Sequence, residues 1–585
     1  MIDPQVRKKL VRAALGRIPL DLVLENLNIV NVYTGEIYQG QLGVLDGWIV
    51  SLQPDGLERR ETFDGRGQYA MPGFIDSHVH LDSSLITPEM LSSLIVPRGT
   101  TVMLADPMES INVGGYRGLE ALLTAREKLP YHLYIEVSSR VPTAPGLETT
   151  GGELGLDAVK EVLTWDAAIS LGELDPSKIL GLGDEYFEKV AAAHAMGKIA
   201  NGHAAGLSGR ELEAYLCGGL SDDHECVDYE EAVERLHLGL PIFVREGSTE
   251  RNLEPIIQGV VKHGLDTRHL MFCTDDKHPD DILEEGHVDY MINRSIEMGL
   301  DPVTAIQMAT VNAAVHFRVD GVLGSLTPGR SADIVLSERL ERIEPSHVFY
   351  RGELVAREGA LTRPPADLNY PDWFSSTVSV SSGTTPGDFK LTHDGPTADV
   401  KVIDLYPVQI INEKEQATLP VVDGNVLGDT AQDVLKIAVV ERYGKNGNIG
   451  ISFVKGFGMK NGAIASSVAH DHHNIIVAGT NETDMARCVQ AVQDMQGGLV
   501  VAADDQVLGQ MPLPLGGLMA RISARDAIAA LEEITDLYHD LGGSLPAPFM
   551  TISFISLPTV PEYGLTDKGL VDVREHRLIS PFVEE

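Results

Sequence analysis

Cysteine is scarce in this chain, and positive charge is scarce relative to negative. The four cysteines among 585 residues, Cys217, Cys226, Cys273 and Cys488, are widely spaced and form no C-x-x-C pair. That excludes a disulfide framework and a thiolate zinc site, and it points to a reducing compartment, so a cytoplasmic location is expected. Lys and Arg number 46 against 85 Asp and Glu, a formal charge of −39. A surface so acidic is repelled by nucleic acid and by anionic membranes, and neither is expected as a partner. No apolar run approaches the roughly 18 residues of a membrane span. Arg12 and Arg17 break up the N-terminal stretch in which a signal peptide would keep its apolar core. Phosphate-cradling loops are missing as well. GLGDEY at 181–186 and GFGMKNG at 456–462 do not complete G-x-G-x-x-G, and neither a G-x-x-x-x-G-K-[ST] loop nor a G-x-S-x-G elbow occurs.

What is present is a large, core-forming chain. Hydrophobic residues make up 43% of it, which excludes disorder, and the length calls for two or three domains. Residues 20–70 alternate apolar and polar positions between Gly and Asp turns, the pattern of several antiparallel strands. From about 72 to 318, short apolar runs alternate with helical stretches such as EYFEKVAAAHAMG and PVTAIQMATVNAAVHF, the repeat of a parallel βα sheet or barrel. Strand patterns return from 319. A Pro-, Ser-, Thr- and Gly-rich stretch supplies a linker, and strands and helices then mix to the end. The expected division is a small β domain from 1–70 plus 319–370, a barrel over 71–318, a linker at 371–395 and a C-terminal α/β domain at 396–585.

The string MPGFIDSHVHLDSS at 71–84 carries the strongest chemical signal. An H-x-H at the end of a strand sends His78 and His80 to one face, because strand side chains repeat every two residues, so one metal ion can meet both imidazoles. Downstream, Glu173 in AAISLGELD, His203 in GKIANGHAAG, His224 in LSDDHE and Asp275 in HLMFCTDDKHP complete a ligand-type set. Most of them end an apolar or small-residue run, and the C-terminal ends of strands are where a (β/α)₈ barrel keeps its chemistry.

In these strings the chain resembles the adenine deaminases of the amidohydrolase superfamily. The resemblance runs through PGFIDSHVHLDSSLITP, NGHAAGLSG, DDHE, REGS, TDDKHPDDILEEGH and GSLTPGRSADIVL. It continues through the C-terminal strings RYGKNGNIG, FVKGFGMKNGAIASSVAHDHHN, PFMTISFISLP and LTDKGLVDV. The barrel strings point to the superfamily, and the C-terminal strings are the ones specific to adenine deaminases. The resemblance implies an α/β fold: a (β/α)₈ TIM-like metal-dependent hydrolase barrel, a small β-sandwich domain built from both flanks and a C-terminal α/β domain. It implies hydrolytic deamination of adenine to hypoxanthine and ammonia, with a nucleobase as the small-molecule partner and a homodimer as the assembly. The H-x-E…P-C-x-x-C signature of the small zinc deaminases is absent, so the scaffold is unrelated to theirs.

The ligand types suit Mn²⁺ or Fe²⁺, and Zn²⁺ as well. So many ligands exceed what one catalytic zinc uses, so two divalent ions are expected. His78, His80 and Asp275 would hold the first, Glu173 would bridge, and His203 and His224 would hold the second. Such a pair lowers the pKa of a shared water. Asp275 is expected to carry the proton from water to the leaving amine, and Glu225, or failing it Glu246, to protonate the ring nitrogen. His278 and His473 are expected to touch substrate. Two departures from the family pattern, Met108 in DPME and Ala205 in GHAA, bear on specificity. They keep open another aminopurine or aminopyrimidine as substrate. The competing reaction is hydrolysis of a cyclic amide, whose enzymes usually bridge their metals with a carbamylated lysine where this chain has Glu173.

Overall fold

A computed structural model describes residues 3–381, 383–405, 412–559 and 562–583. The two flanks of the central region meet in one nine-stranded sheet. Strands Leu20–Val30, Ile37–Leu45, Trp48–Ser51, Arg59–Asp64 and Tyr69–Pro72 join Ile334–Ser337, Pro345–Tyr350, Glu353–Arg357 and Ala360–Leu361. The seam is the antiparallel pairing of Tyr69–Pro72 with Ile334–Ser337. Hydrogen bonds connect these strands in one sheet. The N-terminal helix Pro4–Ala14 buries Leu10 and Ala13 against it and begins at Asp3, whose carboxylate accepts from Gln5 N–H.

Between the flanks lies a parallel half-barrel sheet in the order Phe74–Val79, Thr100–Ala105, His132–Val137, Ala168–Leu174 and Ala200–Gly202. Helices Pro88–Ile95, Tyr116–Leu123, Leu156–Val162 and Asp184–Ala195 make the crossovers. A further parallel pair joins Ile242–Arg245 to Leu270–Cys273. Single parallel bridges tie Asp223 to Ile242 and Val79 to Asp275. The strands are buried on both faces, as parallel sheets require. Ile75, Val102, Leu104, Ile169, Ile199, Phe243 and Met271 pack together in one cluster. Phe74, Met103, Leu133, Val244 and Phe272 join a different one with Ile95, Ile256, Ile292 and other helix residues. This period-two division sets the facing of every side chain at the strand ends.

The C-terminal region forms a second nine-stranded sheet, with Thr397–Leu405, Ile449–Lys455, Val434–Val440, Ile475–Gly479, Ala463–Ser466, Gly498–Ala503 and Gln506–Pro512 as consecutive neighbours. Helix Glu482–Asp494 buries Met485, Cys488, Val489 and Val492 in the core on one of its faces. Within 371–395, Phe374 and Phe389 are fully buried in two different cores. Loops of this region hold Thr149 and Thr150, which lie between strands His132–Val137 and Ala168–Leu174. Asn474 Nδ2 donates to Thr149 O at 2.8 Å, Lys445 Nζ to Thr150 O at 2.6 Å, and Thr149 N–H to Asp567 Oδ1 at 2.8 Å. No helix among the described residues is long and apolar enough to cross a membrane.

Candidate metal centre

Six side chains spread over residues 78–275 converge where the parallel strands end. Gly172 and Gly202 each precede one of them, and each is glycine for a steric reason: an added Cβ would sit 2.3 Å from Asp106 Oδ2 or 2.2 Å from Asp222 O. Their absence of a side chain lets the neighbouring segment close in and sets Glu173 and His203 at the strand mouth. Asp275 adopts φ 56°, a left-handed conformation that aspartate tolerates. Its N–H donates to His78 O at 3.0 Å while His80 N–H donates to Asp275 O at 3.0 Å, which locks the two strand ends together.

The resulting geometry is tight. His78 Nε2 lies 3.6 Å from Asp275 Oδ1 and 3.7 Å from Glu173 Oε2, and His80 Nε2 lies 3.6 Å from Asp275 Oδ1. Glu173 Oε2 also approaches His203 Nδ1 at 3.0 Å and His224 Nε2 at 3.1 Å. The rings of His78 and His224 stack with centroids 4.4 Å apart. Ligand-type atoms of His78, His224 and Asp275, of His78, His80 and Glu173, and of Glu173, His203 and His224 form three groups, each within 4.8 Å.

Carboxylates orient the first two imidazoles from behind. His78 Nδ1 meets Glu136 Oε2 at 2.8 Å and His80 Nδ1 meets Glu109 Oε1 at 2.6 Å, so each ring turns its Nε2 inward. This is the carboxylate–histidine support that metal sites use. His78 Nε2, buried without a hydrogen-bond partner among the described residues, faces Asp275 Oδ1 and Glu173 Oε2, and an orphaned imidazole nitrogen facing carboxylate oxygens fits a cation. Burial would raise Glu173, yet Arg140, His203 and His224 hold it well below the usual carboxylate range. Asp275, likewise buried, is held down by Arg245 and the histidines. Both are therefore ionised, as ligands must be.

Comparison with known proteins fits this site. Residues 69–355 match the amidohydrolase family, whose members depend on metal, and residues 409–577 match the adenine deaminase C-terminal domain. The chain is 52% identical over 575 residues to adenine deaminase of Desulforamulus reducens, with 98% of each chain covered. The chain belongs to the adenine deaminase family. It is also 38% identical over 591 residues to adenine deaminase of Staphylothermus marinus, covering 99% of this chain and 98% of that one. It is accordingly a hydrolase acting on C–N bonds.

Beyond the six, this family member lines the cavity with residues that the sequence reading did not single out for the site: Arg140, Arg245, Glu250, Asp276, Phe554 and Leu557. Arg140 donates to Glu173 and, at 2.9 Å, to Asp471 Oδ2 of the C-terminal loop. Arg245 Nη1 donates to Glu225 Oε1 at 2.5 Å and Asp275 Oδ2 at 2.9 Å. Arg245 and Phe554 lie within the quoted REGS and PFMTISFISLP strings, whereas Arg140 and Glu250 carried no signal. Burial, reinforced by Asp276, pushes the Glu250 carboxyl up to about 8, and its Oε2 has no partner among the described residues.

The other expected residues are spread more widely. Glu225 lines the cavity, paired with Arg245. Glu246 does not line it: its Oε2 accepts from Leu253 N–H at 3.1 Å, at the start of helix Leu253–His263, and its Oε1 lies 3.7 Å from Arg251. His278 lines a separate groove with Ser248, Arg251 and Phe549. His473 is buried, with Nε2 3.3 Å from Asp82 Oδ2, while its neighbours His470 and Asp471 line the cavity. Met108 is buried with Sδ 3.7 Å from Thr143 Oγ1, and neither it nor Ala205 is among the cavity-lining residues.

Proposed function

We propose that this chain hydrolyses adenine to hypoxanthine and ammonia at a binuclear divalent-metal centre made by His78, His80, Glu173, His203, His224 and Asp275. The observation that carries the reading is the convergence of these six at strand ends with an orphaned His78 Nε2 facing two carboxylates, in a chain of this family. His78, His80 and Asp275 would hold one ion, His203 and His224 the other, and Glu173 both, with Mn²⁺ or Fe²⁺ preferred and Zn²⁺ accommodated. When bound, such ions make a water acidic enough to be deprotonated at neutral pH.

The chain's own residues do the rest. Asp275 takes the proton of the attacking water and returns it to the departing amine, and Arg245, 2.9 Å from its Oδ2, fixes the carboxylate. The ring nitrogen beside the attacked carbon needs a proton donor. Glu225 is engaged by Arg245, whose Nη1 donates to its Oε1. Glu250, raised to about 8 chiefly by burial, holds its proton at neutral pH, gives it to the ring nitrogen and recovers one from the C6 hydroxyl as ammonia departs. Phe554 and Leu557, apolar among charged lining residues, limit water at the cavity.

The fold supports the same reading. The bridges Asp223–Ile242 and Val79–Asp275 join the half-barrel to the pair Ile242–Arg245 and Leu270–Cys273, and we read the whole as a closed (β/α)₈ barrel over 71–318. The flank sheet and the 396–585 region are then separate domains. Ammonia release by the metal-loaded protein from a panel of adenine, other aminopurines, aminopyrimidines and cyclic amides tests the function. Activity on adenine alone supports it, and activity confined to a cyclic amide overturns it.

A further inference from the structure

A second cluster of ligand-type side chains lies beside the six-residue centre. Asp82 sits on the 3₁₀ turn Leu81–Ser84, just beyond the H-x-H strand, while His470 and His473 come from the loop after strand Ala463–Ser466. The three are exposed by only 2%, 4% and 0%, and one ligand-type atom from each lies within 4.8 Å of the others. The rings of His470 and His473 meet edge to face with centroids 5.3 Å apart.

The wiring of His473 determines what its inner nitrogen offers. Nδ1 lies 2.5 Å from the carbonyl oxygen of Asp471, which accepts only, so Nδ1 carries the ring's proton. In the neutral imidazole Nε2 then points a lone pair at Asp82 Oδ2, 3.3 Å away. Two electron-rich atoms so placed in a buried site need a positive charge between them. A proton on Nε2 would satisfy that one contact. It would leave Asp82 Oδ1, which is buried with no hydrogen-bond partner among the described residues, still without one. A divalent ion would serve both carboxylate oxygens and both imidazoles. Two imidazoles and one carboxylate suit Mn²⁺, Fe²⁺ or Zn²⁺.

We propose that Asp82, His470 and His473 form a third divalent-cation site, which fastens the C-terminal loop to the barrel beside the His78–His80 strand end. The consequence is positional. His470 and Asp471 line the cavity, and Asp471 pairs with Arg140, so an ion held here fixes the wall of the site that the C-terminal region contributes. The proposal does not depend on adenine being the substrate.

Metal counting tests it. Protein stripped with chelator, reloaded with Mn²⁺ and desalted should hold three equivalents per chain by elemental analysis, and His473→Ala should hold two. A fully loaded wild-type chain that stops at two overturns the proposal without any variant. So does a His473→Ala chain that keeps three. If His473→Ala does not fold, His470→Gln takes its place, with the same expected loss of one equivalent. Retention of all three there would equally refute the site.

Discussion

Replacing Arg140 by methionine should destabilise the metal-free protein strongly and yet tighten its grip on metal. The Arg140 side chain, 3% exposed, donates to Glu173 and to Asp471 Oδ2 at 2.9 Å, with Asp175 Oδ2 3.9 Å away. One guanidinium thus compensates three buried carboxylates. Removing one partner of a buried ion pair costs about 3–5 kcal/mol, and that is the loss expected in chelator-treated protein. In the loaded protein, cations at Glu173 take over part of the compensation, so the loss should be smaller. Arg140 also competes with metal for Glu173. A unit positive charge repels another by about 4 kcal/mol at 4 Å and an effective dielectric constant near 20. Even a third of that, felt at the centre, corresponds to about tenfold in affinity. Urea unfolding of stripped and loaded protein, with chelator competition for the affinity, measures both quantities. Equal destabilisation in the two states, or weaker metal binding in Arg140→Met, would refute the reasoning.

Three further outcomes follow from the same geometry. Asp275→Asn should keep much of its metal, since an amide oxygen still ligates, but lose at least ~10²-fold in kcat because it cannot carry a proton; near-normal turnover would assign the shuttle elsewhere. Glu136→Gln, which weakens the support behind His78 Nδ1, should lower metal affinity by about 10- to 100-fold, and an unchanged affinity by chelator competition would contradict that role. The Glu250 carboxyl rises from 4.5 to about 8 on folding, through burial and then Asp276, so the folded chain keeps a proton that the unfolded chain releases. Its contribution to stability is full below pH about 4.5 and is lost as pH rises through about 8. Glu250→Gln should therefore flatten the pH dependence of the urea midpoint between those values, and an identical profile in wild type and variant would contradict the shift.

The H-x-H pair stands out in the sequence because a strand's period of two sends both rings to one face, and most of the other ligand candidates because they end apolar or small-residue runs. Pairings across the fold do not. Glu136 in HLYIEV reads as an ordinary strand residue, and its partner His78 lies 58 positions away. Glu246 and His278 lie inside the family strings REGS and TDDKHPDDILEEGH and are of catalytic residue type, which says nothing of where their side chains point. Helix Leu253–His263 takes up the Glu246 carboxylate at its N-terminus, and His278 lines a neighbouring groove. Composition marked 371–395 as a linker, but burial of Phe374 and Phe389 depends on surfaces contributed by other elements. The closeness of the C-terminal loop to the parallel strands rests on contacts such as Arg140 with Asp471, 331 residues apart, for which no local pattern exists.

The most direct test of the central claim is ammonia production from adenine by protein of known metal content, with His78→Ala measured alongside. Turnover that appears as the metal is restored, with stoichiometric hypoxanthine, and that is absent together with metal in His78→Ala is the expected result. Full activity in chelator-stripped protein, or in a His78→Ala variant, would contradict it.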